Sequence, residues 1–257
     1  MMNTIRIVPL LIAVMAMTSS AQRAQSDTES DREFAQRVAP MAAQLRVYPT
    51  RETAETSRPL AEFRTLTTYV QTEVDKHIQR SVAFAEGSQH IQARLRTMLS
   101  DHVPNPEFGD LPFAQAADLR AGQSLVVAYT IVRGPHFDVG TIRGYRWDVN
   151  RFELVGTAGA EFEEFNMFKA ALRSPVPGEL WLLVWGQAHT FNGRKVRVRV
   201  YAFDGQNFRG VWSPEDLFDA SVHLTTSGFE IDHTPPSTAE EVHDEYSLSV
   251  SGPVKKH

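Results

Sequence analysis

The sequence predicts an α+β protein, with an N-terminal helical segment packed on a C-terminal antiparallel β domain built as a meander or sandwich. Three observations predict it. Apolar residues recur at helical spacing before residue 105, and from Leu125 onward the period changes to two. A stretch rich in Pro and Gly separates the two regimes. A strand-turn-strand motif then occurs twice, from Tyr145 and again 56 positions later from Tyr201. The predicted organisation is a signal peptide over 1–24, a helical region over 25–105, a linker over 106–123 and an antiparallel β domain over 124–257.

The N-terminus reads as an export signal. Arg6 precedes an apolar run from Ile7 to Met17, and the small residues Ser19, Ser20 and Ala21 follow. That is the charged, apolar, small-residue order of a secretory signal peptide. The run is 11 residues long, against the roughly 20 a membrane-spanning helix needs. Cleavage after Ala21 or Ala24 fits equally. No transmembrane anchor is expected after cleavage.

In the helical region, Ser30 and Glu33 form a capping-box pattern. Phe34, Val38, Met41 and Leu45 then make one helix face, which Pro40 should kink or split. Ser57 and Pro59 open the longest helix, with Phe63, Leu66, Val70, Val74, Ile78 and Val82 as its apolar stripe. Gln71, Glu73, Lys76, Gln79 and Arg80 form its polar outer face. Gly87 ends it, and Ser88 caps a second helix carrying Ile91, Leu95 and Met98. In the linker, Pro104, Pro106, Gly109, Pro112 and Gly122 leave room only for a short helix from Ala114 to Leu119.

Strands are expected over Leu125–Val132, Thr141–Asp148 and Arg151–Val155, and Phe162–Leu172 reads better as strand than helix. Glu179–Gly186 is a continuous apolar run, the pattern of a strand buried on both faces at the centre of a sheet. Asn192-Gly193 turns it into Lys195–Phe203. Along that strand Val196, Val198, Val200 and Ala202 alternate with Arg197, Arg199, Tyr201 and Phe203. Asp204-Gly205 leads to Asn207–Trp212. Ser213 to Asp216 reads as a helix start for one turn to Phe218. Three short strands around Val222, Phe229 and Tyr246 close the chain.

The two motif copies run Tyr145, Trp147, Asp148, Phe152, Val155 and Tyr201, Phe203, Asp204, Phe208, Val211. Over residues 120–257 they resemble the paired strands of a β-propeller blade. Propellers need about four blades to close, more than this chain supplies. The resemblance therefore implies blade-like duplicated units without closure, with any third copy at Tyr246 degenerate.

Composition removes several functions. With no Cys, disulfides, thiolate nucleophiles and Cys-bound zinc are excluded. The formal charge of −5 falls to −7 when residues 1–24, with Arg6 and Arg23, are removed. Nucleic acid is thus not an expected partner. None of the standard hydrolase, nucleotide-loop, zinc-protease or calcium-loop motifs occurs. His136 with Asp138, and Asp232 and His233 with His243, Asp244 and Glu245, form a metal site only if their loops meet. Otherwise they are solvated turn residues. Asp148 and Asp204 read as turn caps, although paired carboxylates also serve glycoside hydrolysis.

Two equivalent faces, Arg143/Tyr145/Trp147 and Arg199/Tyr201/Phe203, set an Arg beside aromatics. They are either cross-strand ladders or a cationic-aromatic binding surface, and these six are the candidate binding residues. No catalytic residue, metal ligand or cofactor is assigned. The expected function is a non-catalytic binding or scaffolding module of the bacterial cell envelope, secreted or periplasmic, whose partner is an envelope glycan, peptide or protein. The alternative is a polysaccharide-directed hydrolase or lyase using loop carboxylates.

Overall fold

The computed structural model describes residues 32–34, 36–38, 40–41, 57–81, 93, 113–119, 122–133, 138–149, 151–162, 165–191, 193–235, 238 and 240–256. The expected signal peptide, Ser30, the apolar positions of the second helix and the His136 loop lie outside these residues. Helix α1, Ser57–Ser81, forms where the longest stripe predicts it. Val70, Val74 and Ile78, spaced by four, are buried. A second face of α1 is also covered. The helical residues Phe34 and Val38 are buried, and the Phe34 ring lies 5.0 Å from that of His77. Glu73, expected on the polar outer face, is buried there instead. Arg37 Nε and Lys76 Nζ each donate to it at 2.7 Å. Burial pushes the Glu73 carboxyl up, but these two cations hold it below the ordinary range.

The rest is a β-rich fold of antiparallel sheets, each built from strands in sequence order. The first sheet contains β1 (Phe113–Leu119), β2 (Gly122–Arg133), β3 (Asp138–Asp148) and β4 (Arg151–Ala158). The middle sheet contains β5 (Asn166–Leu172), β6 (Leu180–Thr190), β7 (Gly193–Phe203) and β8 (Phe208–Trp212). The two-residue strand β9 (Leu217–Phe218) also pairs with β7. The last sheet contains β10 (Ser221–Leu224), β11 (Gly228–His233), β12 (Val242–Ser249) and β13 (Gly252–Lys255). None of the three closes on itself.

The period of two dictates how these sheets stack. Val126, Ala128 and Ile142 of the first sheet meet Leu182, Val184, Tyr201 and Phe203 of the middle sheet in one core. The opposite face of the middle sheet sends Trp181, Leu183, Val196, Val198 and Val200 against Phe229 and Ile231 of the last sheet. The apolar run in β6 is therefore buried on both faces, as its sequence predicts. Burying each large apolar side chain contributes about 1.5–3 kcal/mol. Close approach of the first two sheets depends on Gly144, where an added Cβ would lie 2.5 Å from the Phe203 ring.

Three local expectations are corrected. Ala114–Leu119, inside the presumed linker, belongs to β1 and pairs along its length with β2. A segment this short cannot sustain an isolated helix, whereas a neighbouring strand satisfies its backbone. Ser213–Asp216 starts no helix and leads into β9, because the Asp216 carboxylate is engaged by side chains of β7 rather than capping backbone N–H groups. A fourth strand, β13, completes the last sheet through a turn at Ser249–Gly252 that the sequence reading passed over.

Candidate functional site

The six predicted binding residues do not form an open face. Arg143 and Tyr145 are buried and bonded to Asp75 of α1. Trp147 is half-buried, its ring 5.0 Å from that of Phe152. Tyr201 and Phe203 are buried in the core between the first and middle sheets, Phe203 stacking on Phe208 at 4.7 Å. Arg199 sits at the margin of that core, its side chain 17% exposed. The expected exposed ladder or platform is thus corrected, for a simple reason. Strand alternation puts these side chains on one face, and the neighbouring layer covers that face.

Between α1 and the first sheet, Asp75 is the focus. Tyr145 Oη donates to Asp75 Oδ1 at 2.6 Å, and Arg143 Nη1 donates to Oδ2 at 2.8 Å. Tyr129 stands beside the same guanidinium, completely buried. Burial drives the Asp75 carboxyl above the ordinary range despite Tyr145 and Arg143, and it drives both phenols well above theirs. This cluster is largely buried, with the Asp75 side chain 14% exposed, and joins α1 to the first sheet.

The cluster at the edge of the first and middle sheets is the better candidate site, because solvent reaches it. Lys195, Arg197 and Arg199 line one face of β7, which the alternation of KVRVRVY imposes. Arg197 forms a fork on Asp216 at 2.8 and 2.7 Å, donates to the Glu161 carbonyl and stands 4.4 Å above the Phe165 ring. Lys195 Nζ meets Asp216 Oδ2 at 2.8 Å, and Arg199 donates to the Pro214 carbonyl at 3.0 Å. Tyr201 Oη donates to the Glu161 carboxylate. Arg197 thereby ties the crossover that enters the middle sheet to the one that leaves it. Lys195, Arg197 and Arg199 share this face, and the Lys195 side chain is 35% exposed. The arrangement can take an additional carboxylate, sulfate or phosphate group.

The fork from Arg197, opposed by burial and assisted by Lys195, holds the Asp216 carboxyl down at about 2, below its ordinary 3.8. A carboxyl depressed in the folded state contributes stability that is complete above its unfolded value and is lost as pH falls through the folded one. The expected window is therefore about pH 4 down to pH 2. Because solvent screens the cluster, the expected contribution is only about 1 kcal/mol. Asp216→Asn should remove that part of the acid dependence. Urea midpoints of the two proteins should converge towards pH 2 and separate above pH 4, and parallel curves would refute the assignment.

A third cluster lies between the middle and last sheets. Asp244 is buried, with Lys255 Nζ at 2.6 Å from Oδ1, His233 Nε2 at 3.4 Å from Oδ2 and the Tyr246 hydroxyl donating at 3.3 Å. Burial opposes, but Lys255 and His233 pull its carboxyl below the ordinary range. Burial and Asp244 together push the Tyr246 phenol up to about 12.

Tyr145, Tyr201 and Tyr246 occupy the third strand of their respective sheets, and each faces the layer before it. Three positions after each stands the residue that opens the turn to the fourth strand: Asp148, Asp204 and Ser249. Asp204 Oδ1 accepts from Gln206 N at 2.9 Å and Asn207 N at 2.8 Å, the turn-capping role its position suggests. Ser249 Oγ donates to the Gly252 carbonyl at 2.7 Å. The signal that could have exposed the last of these is Tyr246-Ser247-Leu248-Ser249, with Leu for Trp or Phe and Ser for Asp. Sequence reasoning gave no functional role to Asp75, Glu161 or Asp216 and named Asp216 only as part of a helix start. They lie in a helix, a 3-10 turn and a connection, and no local motif links them to the strands they serve.

His136 lies outside the described residues. Asp232, His233, His243 and Asp244 stand on β11 and β12, where alternation divides them between the two faces of the last sheet. Comparison with protein-family models, with curated proteins and with solved structures finds no match. Fold and site define the protein by class: a stack of antiparallel sheets whose layers are joined by buried or half-buried ionic clusters.

Proposed function

We propose that this chain is an exported, non-catalytic binding or scaffolding module of the bacterial cell envelope, and that its ligand is an acidic envelope glycan or acidic peptide segment. The observation that carries this reading is the row Lys195, Arg197 and Arg199 on one face of β7, with the Lys195 side chain 35% exposed. Among the described residues, Glu73, Asp216 and Asp244 are each held below the ordinary range by a cationic partner, whereas Asp75, paired with Arg143, is raised by burial. A glycosidase acid needs the reverse, a carboxyl held neutral without a neighbouring cation. The signal-like order of Arg6, the apolar run and the small residues after it supports secretion to the periplasm or beyond. No helix among the described residues is long and apolar enough to cross a membrane.

The finer architectural reading is part of the same proposal: a helical region packed on a β domain made of repeated blade-like units. The third-strand tyrosines and the turns that follow them support it. An open stack of such units suits a module that displays surfaces.

The alternative, a polysaccharide hydrolase or lyase using loop carboxylates, has one observation in its favour. Glu161, in the turn before β5, accepts from Tyr201 beside Arg197. One experiment separates the two readings. The mature chain is sedimented with purified acidic and neutral envelope polysaccharides at low and high salt, and the supernatant is assayed for reducing ends and unsaturated products. Binding to the acidic polymer that weakens with salt and is lost in Lys195→Glu, without product, is the expected result. Product release would establish the enzyme instead, and absence of binding would refute the acidic ligand.

A further inference from the structure

We propose that the outward face of the last sheet is a proton-operated clamp, in which Asp232 holds protonated His243 and His223 from the strands on either side and releases them as the pH rises. This inference is independent of the β7 site. The register of three adjacent strands builds the arrangement. Ser221, Asp232 and His243 form one cross-strand row. His223, Glu230 and Glu245 form the next, and Lys256 extends it, its backbone N–H donating to the Glu245 carbonyl at 2.8 Å. All of these side chains leave the same face of the sheet. His243 Nδ1 lies 2.6 Å from Asp232 Oδ1, and His223 Nε2 lies 3.4 Å from Oδ2. One carboxylate on β11 thus meets an imidazole of β12 with one oxygen and an imidazole of β10 with the other.

The charges on this face explain why a proton matters. Glu230 and Glu245 stand directly opposite each other, and like charges in that position destabilise a sheet. With both imidazoles neutral, Glu230, Asp232 and Glu245 are balanced only by Lys256, which binds Glu245. Protonating both imidazoles supplies the two missing positive charges. The hydrogen bond to Asp232 raises the His243 imidazole above its ordinary 6.5; desolvation opposes this, and the charges of Asp232, Glu230 and Glu245 add to it. The charged and titratable groups that share this face with His243 are His223 of β10, Glu230 and Asp232 of β11, Glu245 of β12 and Lys256 beyond β13. His233, Asp244, Tyr246 and Lys255 occupy the opposite face.

A histidine raised in the folded state contributes stability that is fully present below its unfolded value, ordinarily 6.5, and is lost as the pH rises through the folded one. The clamp is therefore closed in mildly acidic solution and open in alkaline solution. Both histidine side chains are 58% exposed and that of Asp232 is 28% exposed, so solvent protons reach the cluster directly and salt screens it. What the clamp fastens is the last layer. Phe229 and Ile231 of β11 pack against Trp181 and Leu183 of the middle sheet, and tying β10 and β12 to β11 firms that cover.

The test is the pH dependence of the mature chain beside that of Asp232→Asn and His243→Gln, read in two ways. Nuclear magnetic resonance follows the imidazole protons. His243 is expected to titrate above 6.5 in the unaltered chain and to fall back in Asp232→Asn. Thermal midpoints are measured from about pH 5 to about pH 9, the range that brackets histidine titration. At low salt the unaltered chain should exceed both variants at the acid end, and this advantage should vanish at the alkaline end and shrink in high salt. The substituted positions face solvent, and unchanged circular dichroism would confirm that the variants fold. His243 titrating at or below 6.5 in the unaltered chain, a result that needs no variant, would overturn the proposal. So would the same His243 titration in Asp232→Asn, or midpoint curves that run parallel across the range, since a contact that only packs does not follow the proton.

Discussion

Asp75→Ala is expected to destabilise the protein by about 3–5 kcal/mol, the cost of breaking a buried ion pair by removing one partner. Asp75 is where α1 is bonded to the first sheet. Its carboxylate accepts from Arg143 and Tyr145, which are 7% and 0% exposed. Removing it leaves a guanidinium charge buried with no counter-ion and a phenol without its acceptor. Losing the attraction itself matters less than stranding the charge. Asp75→Ala/Arg143→Met should therefore recover much of the loss, since an apolar pair of similar volume is often neutral or stabilising. Urea denaturation of the single and double variants measures both quantities. A single-variant loss below about 1 kcal/mol, or a double variant no better than the single, would mean that α1 is not fastened at this point.

Trp181→Ala has the second large expected effect, about 3–5 kcal/mol. The side chain is fully buried between the middle and last sheets, among Leu183, Val200, Ala202 and Phe229. Its Nε1 donates to Glu179 Oε2 at 2.9 Å, and Glu179 is also held by Arg209 at 3.2 Å. Truncation leaves a cavity that two hydrogen-bonded sheets cannot close, because strand pairing fixes the backbone on either side. Trp185, four positions on, lies on the same strand face but is only half-buried, stacked on Phe168 at 5.8 Å. Trp185→Ala should cost clearly less. Thermal midpoints of the two variants decide the matter: equal losses would show that the last sheet does not cover the middle one as described.

Much of the β domain was legible before any coordinates. Alternation placed the β7 side chains on the right faces, and the unbroken apolar run of β6 announced a strand buried on both sides. Local chemistry suffices in such cases, since side-chain period and turn residues are properties of a few neighbouring positions. β1 runs against its local preference, because Ala and Gln favour helix, and only the neighbouring β2 gives that segment its hydrogen-bond partners. The candidate site was half legible. Alternation puts Arg199 and Tyr201 on one strand face, but no local pattern shows that another layer covers that face.

What the sequence determined by itself, then, was the strand pattern, the turns opening at Asp148 and Asp204, the β-rich character and the absence of cysteine chemistry. Only the tertiary structure decided which faces are buried, that Arg143 answers to Asp75 across the boundary of α1 and the first sheet, and that Arg197 joins two crossovers through Asp216 and Glu161. The physical reason is range. Propensity and periodicity act over a few residues, whereas burial and ion pairing depend on partners 19 to 68 positions away in the chain, which only the stacking of the layers brings together.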